Sequence, residues 1–282
     1  MKKIFLSIVC LFVLTSCMKN NQIVKQKTHI KIGMVNETPI VLLSEIYAVA
    51  LERNGFDVER VMYNSGDELF NDMKDGKINM FIYFSNNNNS FRDMEVVQSS
   101  KINTLMNQFH YKKLKPTKAF NSFSFVTRKA FSTKYKVTKL SQIKKNSEFI
   151  TYGSINEFSD EEKELFEKYG LFNWKNKDDL NYSDRVKSLG NKSVDLIVGT
   201  TLDPAFSSNR YFVLKDDKGK IEKCSFVPIV SENLFKKKEI SYCINTVSKK
   251  TSTKVLQKML RSHYYSSKKI DDLAIDFNNK YI

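Results

Sequence analysis

Residues 29–84 read HIKIGMVNETPIVLLSEIYAVALERNGFDVERVMYNSGDELFNDMKDGKINMFIYF, and the change of apolar period along this stretch decides the fold. Ile30, Ile32 and Met34 alternate as the inward face of a strand does. Thr38 and Pro39 are expected to open a helix, the threonine as its cap and the proline in its first turn. Val41, Leu42, Ile46, Val49 and Ala50 then recur at helical spacing, and Asn54-Gly55 supplies the stop. Val58 to Met62 reads as a second strand. Ser65 and Glu68 form a capping box for a second helix carrying Leu69, Phe70 and Met73 and closed by Gly76. Ile78 to Phe84 is nearly unbroken apolar sequence, as in a strand covered on both faces. The stretch is a βαβαβ unit.

A second unit of the same kind follows. Phe149 to Tyr152 is strand-like, Asp160 to Tyr169 is a charged amphipathic helix ended by Gly170, Ser183 caps a helix bearing Val186 and Leu189, and Val194 to Val198 is an apolar strand. The units end alike, in Gly76-Lys77-Ile78-Asn79-Met80-Phe81 and Asn191-Lys192-Ser193-Val194-Asp195-Leu196, so two similar α/β lobes are the simplest interpretation. Beyond them lie strand candidates Tyr211 to Leu214 and Ser225 to Val230, then helical patterns on Val255, Leu256, Met259 and Leu260 and on Ile270, Leu273, Ile275 and Phe277. If these pack back on the first lobe, the chain crosses between lobes twice and forms a hinged clamp around a cleft.

Outward from the lobes, the N-terminus gives the address. Lys2 and Lys3 precede the apolar run Ile4 to Leu14, which is too short to span a bilayer permanently and reads as a secretory signal. Leu14-Thr15-Ser16-Cys17 resembles a bacterial lipobox, which implies cleavage before Cys17 and diacylation of its thiol. The polar run that follows reads as a leash between membrane and fold. The expected organisation is therefore a signal peptide at 1–16, a lipidated tether at 17–28, a discontinuous first lobe at 29–118 plus 205–282, and a second lobe at 119–204.

The formal charge of +15, from 46 Lys and Arg against 31 Asp and Glu, raises the question of a nucleic-acid partner. The lysines are scattered and no nucleic-acid motif is present, so none is expected. Cys10 leaves with the signal, and Cys224 and Cys243 remain either as a disulfide or as two buried thiols. The histidines, His29, His110 and His263, lack ligand spacing, so no metal and no cofactor is expected. Gly-x-Ser-x-Gly and His-Glu-x-x-His are both missing, Glu161 and Glu162 read as solvated helix surface, and an enzyme is not expected.

Ile30-Lys31-Ile32-Gly33, Asn36-Glu37-Thr38, Ser44-Glu45-Ile46-Tyr47-Ala48, Leu51-Glu52 and Gly55-Phe56-Asp57-Val58, continued through Phe120-Asn121-Ser122-Phe123, Tyr169-Gly170-Leu171 and Asp216-Asp217-Lys218-Gly219, resemble the osmoprotectant-binding proteins of ABC importers. The resemblance spans the chain after the signal and implies a type II periplasmic-binding fold. It further implies a small solute such as glycine betaine, choline or carnitine, and an ABC permease as partner. A trimethylammonium group offers no N–H donor, so aromatic faces hold it by cation–π attraction of about 0.5–2 kcal/mol each.

Carried over residue by residue, the family's aromatic segment after the third strand falls on Phe84-Ser85-Asn86 and its crossover element on Asn121-Ser122-Phe123, each ring without its hydroxyl. An element after the first strand matches Asn36, Glu37 and Thr38 loosely. The family arginine falls near Glu161, and two further cage tyrosines fall near Val186 and near Cys224 or Ser225, so those positions depart from the pattern. Phe158, Tyr182 and Phe206 stand close enough in sequence to substitute. The candidate ligand contacts are thus Asn36, Glu37, Thr38, Phe84, Ser85, Asn121, Ser122, Phe123, Phe158, Thr200 and Thr201. The run Asn86 to Asn89 reads as a solvated turn, and strand alternation turns Tyr83 away from Phe84. Two alternatives stand beside a quaternary amine: another small solute in the same clamp, or a surface lipoprotein no longer coupled to transport.

Overall fold

A computed structural model of the chain describes residues 27–85, 97–155, 159–171, 175–180 and 182–282. The expected signal segment, Cys17, the asparagine run after Ser85, Phe158 and Trp174 lie outside these residues. No described helix is long and apolar enough to cross a membrane.

The first sheet forms as the apolar patterning dictates. Strand β1 (His29–Val35) pairs in parallel with β2 (Asp57–Tyr63) and β3 (Met80–Phe84), with Ile32 opposite Met80 and Gly33 opposite Phe81. Helix α1 (Thr38–Arg53) connects β1 to β2 and buries residues on nearly every side, because it lies between the sheet and helices from the C-terminal end. Those helices anchor it by polar contacts as well: the Tyr47 hydroxyl and Ser248 Oγ are 2.8 Å apart in the core, and Asn278 Nδ2 donates to Ile46 O at 3.0 Å. The cap of α1 is Glu37, one residue before the expected Thr38, and no side chain closes it. The Thr38 hydroxyl instead accepts from Tyr264 at 3.0 Å. The serine half of the capping box of α2 (Gly66–Lys74) forms, with Glu68 N donating to Ser65 Oγ at 3.2 Å, while the Glu68 carboxylate accepts from Asn64 N at 3.2 Å, one residue before the cap; Gly55 and Gly76 take the positive φ that ends each helix.

The chain continues through α3 (Ser99–Gln108), β4 (Tyr111–Lys113) and β5 (Phe120–Asn121), and then leaves for the second sheet with β6 (Phe123–Arg128). That sheet has the order β10-β6-β9-β7-β8, with β7 (Thr151–Ile155), β8 (Lys175–Leu180), β9 (Leu196–Thr200) and β10 (Tyr211–Val213). Helix α4 (Lys129–Tyr135) follows β6. Helices α5 (Ser159–Tyr169) and α6 (Tyr182–Gly190) come before β8 and β9, and α6 begins one residue ahead of the expected Ser183 cap. Strand β9 begins two residues later than the apolar run at Val194. Asp195 is occupied outside the ladder: its carbonyl accepts from Thr127 and its carboxylate from Thr151 N.

The expected second-lobe boundary at 204 is passed, because β10 pairs antiparallel with β6 as the edge of the second sheet. Ties to second-sheet elements continue through Leu214 N to Phe125 O, Lys215 N to Thr138 O and Tyr169 to Asp216. The return crossing therefore runs through Glu222–Lys223 into β11 (Cys224–Ser231), which completes the first sheet antiparallel to β3 and β4. Helices α7 (Glu232–Phe235), α8 (Lys238–Lys250), α9 (Thr253–Ser266) and α10 (Ile270–Tyr281) end the chain. Two α/β lobes joined by two crossings are the result.

Cys224 and Cys243 are both buried and are not joined by a disulfide, which decides the open alternative in favour of two thiols. Burial, with the charge of Glu222 adding to it, pushes the Cys224 thiol up to about 12, and burial alone takes Cys243 to about 11. Because only the thiolate alkylates, iodoacetamide at mildly alkaline pH should leave both unmodified in the native protein and label both after denaturation without reductant. Failure to label either in the denatured, unreduced chain would show a disulfide instead.

Candidate functional site

In both sheets the carboxyl ends of the parallel strands point toward the crossings. β1 and β3 run side by side, and their register, continued, sets Asn36 and Glu37 level with Phe84 and Ser85, with Thr38 next in the chain. β11 starts at that same end, with Phe226 opposite Phe84, and β5 pairs there as Asn121 with Cys224 and Phe120 with Ser225. In the second sheet β9 is parallel to β7 and ends at Thr200, directly opposite Phe123. The space outside the carboxyl ends of such strands, at a switch in chain direction, is where α/β folds bind ligands. Every sequence candidate among the described residues sits at this junction.

Ser122 is the residue at which the chain changes sheet, and Thr201 fixes it. Ser122 N donates to Thr201 Oγ1 at 3.1 Å, and Thr201 N donates to Ser122 O at 3.0 Å. The Thr201 hydroxyl proton has Phe120 O at 3.1 Å and Asn121 Oδ1 at 3.2 Å within reach, while Asn121 Oδ1 also accepts from Leu202 N at 3.3 Å. The return crossing is tied to β3 by Ser85 N to Ser225 O at 2.8 Å and Ser225 N to Ser85 Oγ at 2.9 Å. Asn121 Oδ1, the Ser122 main chain and the Ser85 and Thr201 hydroxyls are thus engaged in tying the crossings.

The two candidate rings are packed away. Phe84 is 1 % exposed and Phe123 4 %, both within the main apolar cluster, and Phe84 lies 5.0 Å from the Phe226 ring. Tyr83 faces the opposite side of the sheet, in a separate cluster, with its hydroxyl 2.7 Å from Ser99 Oγ. Phe120, which the sequence did not single out, is partly exposed at the junction and carries the Lys223 ammonium 5.0 Å above its ring.

Two carboxylates at this end have no ion pair among the described residues. Glu37, beyond the end of β1, is half-buried, and burial alone raises its pKa above the usual carboxylate range; no hydrogen bond or ion pair with a described side chain offsets that. Glu222, just before β11, has its Oε2 buried without a hydrogen-bond partner among the described residues. They flank the Phe84–Ser85 end of β3. An unpaired, partly desolvated carboxylate is costly, and two at one strand end make the junction attractive to a cation.

The sequence also gave no sign of the buried pair beneath Thr200 and Thr201. Arg185 on α6 is 1 % exposed; its Nε donates to Val198 O at 3.2 Å and its guanidinium pairs with Asp203, which is 8 % exposed. Gly199 makes room, since a Cβ there would stand 2.2 Å from a Phe206 ring carbon. Asp203 begins the 3-10 turn Pro204–Ser207, which α9 grips: Gln257 Nε2 donates to Thr201 O at 2.9 Å and Asp203 O at 3.1 Å, and Arg261 donates to Pro204 O at 3.3 Å.

The family model described as the substrate binding domain of ABC-type glycine betaine transport systems matches residues 28–280. No curated protein sequence matches the chain. Among solved structures, a glycine betaine/carnitine/choline ABC transporter protein superposes with a TM-score of 0.74 at 17 % identity, covering 89 % of this chain and 98 % of that one. Unliganded YehZ from Escherichia coli gives 0.73 at 15 % identity, with 89 % and 98 % covered. Lactococcal OpuAC, closed around glycine betaine, gives 0.55 at 15 % identity, with 90 % and 96 % covered. At these identities the likeness shows the fold, a type II periplasmic-binding fold.

Truncating one partner of a buried ion pair strands the other charge, at about 3–5 kcal/mol. Asp203→Ala should therefore lower the unfolding free energy by about that amount in a denaturant titration, and a loss below about 1 kcal/mol would show that the pair is not buried in solution.

Proposed function

The chain belongs to the family of substrate binding domains of ABC-type glycine betaine transport systems, and from that membership we propose that it is the extracytoplasmic, Cys17-anchored receptor of an importer for a quaternary amine of net positive charge. The family binds solute and leaves it chemically unchanged, so the site needs recognition and not catalysis. The observation that carries the ligand class is the pair of uncompensated carboxylates, Glu37 and Glu222, at the junction of the two lobes.

A zwitterion such as glycine betaine brings a carboxylate that needs its own cation. At this junction the Arg185 guanidinium is taken by Asp203 and the Lys223 ammonium lies over Phe120. A choline-like cation brings no such group, and its trimethylammonium charge offsets Glu37 directly. Partly exposed Phe120 is the proposed aromatic face, with Lys223 displaced from it on binding. Phe84 and Phe123 act as the packed floor beneath, so their alanine variants would report loss of core rather than loss of a cage.

The sign of the pH dependence follows. Burial raises the Glu37 pKa in the unliganded fold. Its ionised form therefore costs stability above the ordinary carboxylate range, and a bound cation lowers that cost. Affinity should fall as pH falls through the raised Glu37 pKa.

In a thermal-shift screen, choline at a hundredfold excess over its Kd should stabilise the protein by about 2.7 kcal/mol, ahead of carnitine and glycine betaine. Glu37→Gln should weaken choline about tenfold, equivalent to about 1.4 kcal/mol, and flatten its acid dependence. A response only to non-quaternary solutes would reject the ligand class while leaving the receptor role, and a response to glycine betaine alone would reject the charge argument. Replacement of Cys17 by alanine should move the protein from the membrane to the soluble fraction on cell fractionation; unchanged membrane association would reject the lipid anchor.

A further inference from the structure

We propose that the second lobe carries, at its end away from the crossings, a binding groove for a phosphate-bearing anion. The groove, of about 730 Å³, lies between α4, the start of β10 and the end of α6. Its lining includes Arg128, Lys129, Lys134, Arg210, Tyr211 and Gly190, and no carboxylate is among the residues that line it. Lys129 N donates to Arg210 O at 2.8 Å, and this backbone tie sets two of the cations side by side.

The four cations are not equivalent. Arg128 is fixed: its guanidinium donates to Leu189 O and Val194 O and pairs with Asp195, leaving it nearly neutralised as part of the wall. Lys129, Lys134 and Arg210 have no ion pair with any described carboxylate, and Lys134 is steadied by lying 5.0 Å over the Tyr135 ring. Three like charges gathered on one concavity repel one another, and no described carboxylate offsets them. The Tyr211 hydroxyl likewise has no hydrogen-bond partner among the described residues, although its ring is set edge-on to Phe206 at 6.1 Å. It stands 3.4 Å from where a Gly190 Cβ would be, so a side chain there would crowd it.

Three charges across a groove of this size exceed what one carboxylate neutralises. Lysine point charges, an arginine fork and a hydroxyl donor suit the several oxygens of a phosphate group. Arg128 is at the opposite end of β6 from Phe123, about 17 Å away at the usual strand rise. The groove is thus separate from the junction, and its ligand does not compete with the solute. The phosphate has two possible sources, a soluble polyphosphate or the headgroup of an anionic lipid.

The test is calorimetric titration of the full chain with inorganic tripolyphosphate, beside co-sedimentation with phosphatidylglycerol and with phosphatidylcholine vesicles, the latter taking up any lipid anchor equally. Saturable tripolyphosphate binding is expected, weakened tenfold or more in the Lys129→Gln, Arg210→Gln double variant. A Lys250→Gln, Lys254→Gln control, which removes the same charge elsewhere, should bind as the unaltered protein does. Preferential sedimentation with phosphatidylglycerol, sensitive to the same double variant, would identify the lipid source; binding to tripolyphosphate without that preference would identify the soluble one. The proposal is overturned by no saturable binding together with no preference between vesicles, or by equal weakening in the double variant and the control.

Discussion

The hydrogen bonds that Thr201 makes to the Phe120–Ser122 segment are the constraint on which the two-lobe arrangement rests. A chain that leaves one sheet and enters another has backbone groups at the change that neither ladder can pair, and buried groups of that kind must be satisfied. Here Ser122 N and O, Phe120 O and the Asn121 amide all find partners on Thr201 or Leu202, residues just past the end of β9. The same few bonds hold the carboxyl ends of both parallel strand sets against one junction, the place where the ligand site is proposed.

This shifts attention from rings to charges. The family resemblance directs a reader to Phe84 and Phe123, and both lie at the junction, but both rings are buried in the apolar core. What remains open at the junction is Phe120 under Lys223, and the unpaired oxygens of Glu37 and Glu222. Recognition of a methylated ammonium by a carboxylate and one aromatic face is less specific for a zwitterion than a full cage, and more selective for net positive charge.

Much of the fold was legible because local and tertiary signals agree in the βαβαβ stretches: alternation at Ile30, Ile32 and Met34, the Ser65–Glu68 box, and the glycines at 55 and 76 all act within a few residues. The failures are those of local reading where a distant partner decides. Thr38 has a cap's chemistry, but its hydroxyl is taken by Tyr264, far along the chain. Tyr211–Val213 looks like any short strand, and only pairing with β6 assigns it to the second lobe. Helix α8 was missed although Ile240, Cys243, Ile244 and Val247 keep helical spacing and are buried, because β-branched and polar residues between them blur the pattern. The Arg185–Asp203 pair had no signal at all: an arginine on a polar helix and an aspartate in a turn read as surface until the fold buries both. At the candidate site, position was legible and role was not, since burial and unpaired charge are properties of the assembled junction.

Helix α9 has a mechanical consequence. Its Leu256 and Leu260 belong to the main core, and Thr253 Oγ1 accepts from Phe120 N, yet Gln257 and Arg261 reach the turn at Asp203–Pro204, and Tyr264 touches the foot of α1. The lobes are therefore joined by the two strand crossings and by side chains of α9 that are not part of the connecting chain. Gln257 reaches Thr201, the residue that also holds the Phe120–Ser122 crossing, so the helix braces that crossing from the side. Any change in the angle between the two sheets is therefore felt by the Gln257 and Arg261 contacts as well as by the connecting chain.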